Sequence, residues 1–125
     1  MSALDFDKAL WLRDKISMAT EDLNLKVVVE ALKRDFNPTK LILYGSRASG
    51  THRPDSDYDF VMVLLKFDKK DRYDVMSKIS TKFFQDIGIE VQVWVYSEDE
   101  FNDWKDEFSS IPETALNTGR EIELG

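Results

Sequence analysis

Two carboxylates, Asp57 and Asp59, stand two residues apart at the head of the apolar run Phe60-Val61-Met62-Val63. If that run is a strand, its period of two turns both side chains to one face and holds them close together. Like charges so placed raise each other's pKa unless a cation neutralises them. Asp is also disfavoured in strands. A locally costly pair of this kind tends to mark a site, and Mg²⁺ is commonly held by one or two carboxylates together with substrate phosphates. By itself the pattern equally fits a solvated turn, Asp55 to Asp59, entering a strand. A calcium loop starting at Asp55 is excluded, because its sixth position is Phe60 rather than Gly and its twelfth is Lys66 rather than Glu.

The second chemical element lies upstream. Gly45-Ser46-Arg47-Ala48-Ser49-Gly50 follows the apolar run Leu41-Ile42-Leu43-Tyr44. A tight turn of small residues after a strand exposes backbone N–H groups that can cradle phosphate oxygens, and the Ser46 hydroxyl can donate one more bond. It is not a Walker loop, since the required Gly-Lys-Ser/Thr ending is absent. Taken alone it is also an ordinary strand-to-helix turn. Arg47 and Arg53 are candidate phosphate partners or plain surface cations.

Ten residues separate Ser46 from Asp57, so turn and acids together read Gly-Ser-x10-Asp-x-Asp. This arrangement resembles the nucleotidyltransferases of the DNA polymerase β superfamily. Within it the chain is similar to the minimal nucleotidyltransferase proteins, small single-domain chains often paired with a HEPN-domain partner. The likeness runs from about Lys40 to Phe108 and is strongest over Leu43 to Val63. It implies a polymerase β-like fold, an α/β (α+β) domain with a small mixed sheet flanked by helices. It also implies transfer of a nucleoside monophosphate, with ATP the expected NTP, to a hydroxyl acceptor with release of pyrophosphate. Asp57 and Asp59 would hold one or two Mg²⁺ ions, and Gly45, Ser46 and Arg47 the phosphates. In the resembling family the acceptor can be a tyrosine of a HEPN toxin, the transferase acting as antitoxin.

The resembling family carries a third carboxylate on a later strand, and here the sequence departs. In the stretch Val91-Gln92-Val93-Trp94-Val95-Tyr96 that position is Gln92, which is neither a base nor a strong metal ligand. Glu90 lies two residues earlier on the same predicted face and is one methylene longer than Asp. Either Glu90 reaches back to complete a metal and catalytic set of Asp57, Asp59 and Glu90, or it is a solvated edge residue. In the second case the domain is a degenerate, non-catalytic module that acts by binding its partner.

These residues need elements to position them. Leu4 to Phe36 reads as two helices with a break near Thr20, the second carrying Leu25, Val28, Val29, Leu32 and Phe36 inward and stopped by Asn37-Pro38. Strands are predicted over 40–44, 57–65 and 89–96, with a helix over 71–86 turning Tyr73, Met76, Ile79, Phe83 and Phe84 inward. In the third strand Glu90, Gln92, Trp94 and Tyr96 share one face. Ser97-Glu98-Asp99-Glu100 and Ser110-Ile111-Pro112-Glu113 are capping boxes that open two more helices. Arg120 to Leu124 is a candidate closing strand. The whole reads as one domain over 1–125, with N-terminal helices (1–37), the core (40–108) and a C-terminal helix and tail (110–125).

Composition narrows the function. The 125 residues contain no Cys and one His, which leaves no disulfide framework, zinc finger or thiol nucleophile. Lys and Arg number 17 against 24 Asp and Glu, a net charge of −7 that opposes binding to a phosphate backbone. No apolar run reaches membrane-spanning length and the N-terminus is not a secretory signal, so a cytoplasmic protein with no membrane partner is expected. His52 reads as a surface residue, and Trp94, Phe101, Trp104 and Phe108 as packing residues. The acids of 98–107 form either a solvated helix face or a docking surface for a basic partner. Leu10 and Trp11 could serve an oligomer interface.

Overall fold

The computed structural model describes residues 20–125. The first predicted helix, with Leu10 and Trp11, therefore lies outside the described residues. The chain divides into two compact units, 1–37 and 38–125.

The described part of the first unit is helix α1, Thr20–Phe36. Val28, Val29 and Leu32 are buried at the spacing of one helical stripe, and Leu23, on the other side of the helix, is buried as well. Lys33 and Arg34 occupy the last turn, where cations complement the helix dipole. The helix ends as the Asn37 N–H bonds the Lys33 carbonyl at 3.0 Å, with Asn37 at φ 48° just ahead of Pro38.

The second unit is built on a four-stranded mixed sheet in the order β3-β2-β1-β4. β1 is Lys40–Tyr44, β2 Tyr58–Leu64, β3 Val91–Ser97 and β4 Arg120–Glu121. β1 runs antiparallel to β2 and to β4, and β2 runs parallel to β3. The parallel pair needs a crossover, and helix α3, Arg72–Ile87, provides it after a 3₁₀ turn at Lys69–Asp71. A four-residue helix α2, Ser46–Ser49, follows β1. Helices α4, Glu98–Trp104, and α5, Ile111–Thr118, follow β3. This is the small mixed sheet flanked by helices that the sequence predicts.

Each predicted capping box forms its serine half, while the Glu100 side chain pairs with Arg72 and that of Glu113 accepts from the Ser109 N–H. The Ser97 hydroxyl accepts from the Glu100 N–H and the Ser110 hydroxyl from the Glu113 N–H, each at 3.1 Å. One face of the sheet buries Ile42, Val61, Val63 and Tyr96 against Phe101 and Ala115, with Tyr44, Trp94 and Ile111 packed around them. Gly119 lets the chain return along β1, because a Cβ there would strike the Ala115 and Leu43 carbonyls and the Ile42 side chain.

Four packing expectations are corrected. Phe108 is 91% exposed, Tyr73 71% and Phe84 57%, and Trp104 is also exposed. The buried stripe of α3 is narrower than its apolar period predicts: only Met76 and Ile79 are buried on it. Phe108 stands just beyond the end of α4, where no neighbouring face covers it. The strand limits also move. Asp57 and Glu90 each stand one residue ahead of a strand instead of inside it.

Candidate functional site

Topology assembles the site. β1 ends where β2 begins, because the two are antiparallel, and β3 begins there too, because it parallels β2. Three separate segments therefore reach one end of the sheet: Gly45-Ser46 after β1, Asp57 and Asp59 at the head of β2, and Glu90 and Gln92 at the head of β3. The register places Tyr44 beside Asp59 and Asp59 beside Gln92. The Tyr58 N–H reaches the Glu90 carbonyl at 3.0 Å, which sets Glu90 opposite the chain around Asp57.

The turn after β1 is shaped by Gly45, at φ 75° and ψ −157°, a region that L side chains avoid. Its carbonyl accepts the N–H groups of Ala48 at 3.1 Å and Ser49 at 3.2 Å. The first N–H groups of such a turn have no partner inside it. Gly45 also lies against the acids: a Cβ built on it would stand 2.8 Å from Asp59 Oδ2. The Gly45-Ser46 turn and the Asp59 carboxylate thus share one small space that a side chain at position 45 would fill.

The acids perturb one another in two pairs. Burial, with the charge of Asp57 second, pushes the Asp59 carboxyl above its ordinary range. Hydrogen bonding of the protonated Glu90 carboxyl to Asp57, then the Asp57 charge, raises the Glu90 carboxyl above its ordinary range, with smaller contributions from desolvation and Asp55. Tyr44 is pushed up to about 12, mainly by burial and then by Asp59. Among the described residues no three or more His, Cys, Asp or Glu side chains converge as a ready metal site. Asp57, Asp59 and Glu90 are linked as Asp57–Asp59 and Asp57–Glu90.

A cation fits this donor set. Asp59 is half-buried beside the like charge of Asp57, a cost that a divalent ion between the two carboxylates would relieve. Two hard oxygen donors beside a phosphate cradle suit Mg²⁺, which completes its shell with phosphate oxygens and water.

Beside the acids opens a groove of about 470 Å³ between α3 and the head of β3, lined in part by Asp57, Glu90, Gln92, Ser80, Thr81 and Phe84. The α3 residues of this wall carry no sequence signal beyond being polar on a helix. Gln92, at the expected position of the third acid, is exposed on the site face beside Asp59. Arg47, a candidate phosphate ligand, directs its guanidinium to the Pro54 and Ser56 carbonyls and onto the Tyr58 ring. That role for Arg47 and the placement of Tyr58 were not legible in the motif.

Comparison with known proteins agrees with this geometry. A structure titled as a crystal structure of a toxin-antitoxin with AMP-PNP superposes with a TM-score of 0.52 over 75% of this chain and 68% of that one, at 16% identity. This likeness is one of fold. Among curated proteins nothing matches. The family model described as nucleotidyltransferase domain matches residues 25–119, which takes in the Gly45-Ser46 turn, the acid pair and Gln92. The chain belongs to the nucleotidyltransferase domain family.

Proposed function

We propose that this chain is a metal-dependent nucleotidyltransferase that moves AMP from ATP to a hydroxyl of a partner protein, as the antitoxin-like member of a pair with a HEPN-domain protein. The observation that carries this reading is the closeness of the Gly45 turn to the Asp59 carboxylate, so close that a Cβ on Gly45 would meet Oδ2 at 2.8 Å; it would set a phosphate cradle beside an acid pair. The toxin-antitoxin title of the structural neighbour, with its ATP analogue, supports ATP and a protein partner.

In this reading the Gly45-Ser46 N–H groups and the Ser46 hydroxyl hold the β- and γ-phosphates. Asp57 and Asp59 hold Mg²⁺, which would neutralise the triphosphate and the departing pyrophosphate. The acceptor oxygen bonds to the α-phosphorus while the bond to the bridging oxygen of pyrophosphate breaks. The hydroxyl proton would pass to the ionised Glu90 carboxylate, which lines the groove with Asp57. Pre-arranged dipoles and charges supply most of the stabilisation in such chemistry, which suits a chain without Cys.

A second reading, a degenerate domain that binds its partner without chemistry, is favoured by Gln92 beside Asp59 and by the pairwise linkage of the acids. One experiment separates the two. Wild type, Asp57→Asn and Asp59→Asn are incubated with α-labelled ATP, Mg²⁺ and the protein encoded by the neighbouring gene. Label on the partner with wild type alone is expected. Equal biological activity of all three proteins without label would establish the binding module.

A further inference from the structure

Asp57 stands one residue ahead of the β2 ladder, so no pairing of its own in the sheet fixes it. The segment that carries it, residues 50–57, leaves α2 as a polar loop, and Asp57 itself is exposed. Arg47 is the residue that reaches this segment from the phosphate-cradle side. Its Nε donates to the Ser56 carbonyl at 3.1 Å, and one terminal nitrogen donates to the same carbonyl at 2.8 Å and to the Pro54 carbonyl at 3.2 Å. Its guanidinium carbon sits 4.2 Å from the centroid of the Tyr58 ring, and Tyr58 is 3% exposed. Arg47 therefore grips both chain neighbours of Asp57, the residue before it by its carbonyl and the residue after it by its ring.

We infer that Arg47 is a positioning residue for the acid pair: it clamps the 54–58 segment onto the Gly45-Ser46 turn and so fixes where the Asp57 carboxylate stands relative to Asp59. This deepens the nucleotidyltransferase reading and rests on it for its catalytic consequence. A planar fork is needed to meet two carbonyls and stack on a ring at once, and lysine, a point charge on a flexible stem, cannot do all three. The donors aimed at Pro54 and Ser56 are spent on the protein. Arg47 acts on the bound nucleotide through Asp57.

The test uses Arg47→Lys and Arg47→Gln in the full chain. A misplaced Asp57 weakens divalent-ion binding and slows transfer, by roughly 10²-fold for a displacement near 1 Å. Both variants are expected to raise the Mg²⁺ concentration for half-maximal transfer and to lower kcat, while KM for ATP at saturating Mg²⁺ stays within about two-fold, the uniform-binding term being untouched. A phosphate ligand gives the reverse: a raised KM for ATP, unchanged Mg²⁺ dependence and partial rescue by lysine. That pattern would overturn the inference. Hydrogen exchange without substrate supplies the second readout. The clamp predicts faster exchange at amides 55–58 in both variants, with β1 and the rest of β2 unchanged. Unchanged protection overturns the clamp even if wild type proves to have no transferase activity. Faster exchange with an inactive wild type keeps the clamp and removes the transferase reading.

Discussion

Gly45 and Asp59 meet so closely that any side chain on Gly45 would enter the space of the Asp59 carboxylate, 2.8 Å from Oδ2. The glycine is demanded twice, by its backbone at φ 75° and by this neighbour. Gly45→Ala is therefore expected to lose about 1–3 kcal/mol of stability through backbone strain and to abolish nucleotide transfer. Urea unfolding and the labelled-ATP assay measure the two effects. A variant with wild-type midpoint and activity would show that the turn relaxes freely.

Asp59 is charged at a cost. Its carboxyl sits above the ordinary range in the folded chain, from burial and from Asp57. When both states are protonated, below about pH 4, the penalty is absent, and it grows as pH rises through the folded pKa. Asp59→Asn should therefore melt several degrees higher than wild type near pH 7 in the presence of EDTA, with the gap closing on acidification, while transfer activity is lost. Thermal scans at several pH values check the sign. A gap that widened in acid would contradict it.

Tyr44 and Tyr96 are both pushed up to about 12, chiefly by burial. The unfolded phenol loses its proton near pH 10. Between about pH 10 and 12 the folded state thus binds more protons than the unfolded state, and stability falls as pH rises. Ultraviolet titration should show a late tyrosinate phase that Tyr44→Phe and Tyr96→Phe each diminish.

Arg72 ties the start of α3 to the rest of the unit. It forms an ion pair with Glu100, both side chains mostly covered, donates to the Val95 carbonyl at 2.9 Å and lies over the Tyr96 ring. Removing one partner leaves a charge facing partly desolvated surroundings. Arg72→Ala or Glu100→Ala should cost about 2 kcal/mol, below the roughly 3–5 of fully buried pairs. The double variant should cost less than the sum of the two singles. Denaturant midpoints of the four-member cycle measure the coupling.

Much of this architecture was legible in the sequence because it is written locally. Strand cores of continuous Val, Ile and Leu, capping boxes at Ser97 and Ser110, and Asn37-Pro38 as a stop each depend on neighbours within a few residues. The helix face of α3 was read less well. Tyr73 and Phe84 satisfy a helical period and yet stay exposed, because the width of an apolar stripe is decided by what packs against it.

The sequence by itself determined the chemistry on offer: an acid pair, a glycine turn at a set spacing, and Gln92 where an acid was expected. Only the tertiary structure decided how these meet. Strand direction brought three distant segments to one end of the sheet. Burial set which carboxyl bears the strain, and the reach of one guanidinium turned a candidate phosphate ligand toward the backbone of the loop it holds. Spacing along a chain fixes side-chain direction over a few residues, whereas distance between segments far apart depends on strand order and packing, which no local pattern encodes.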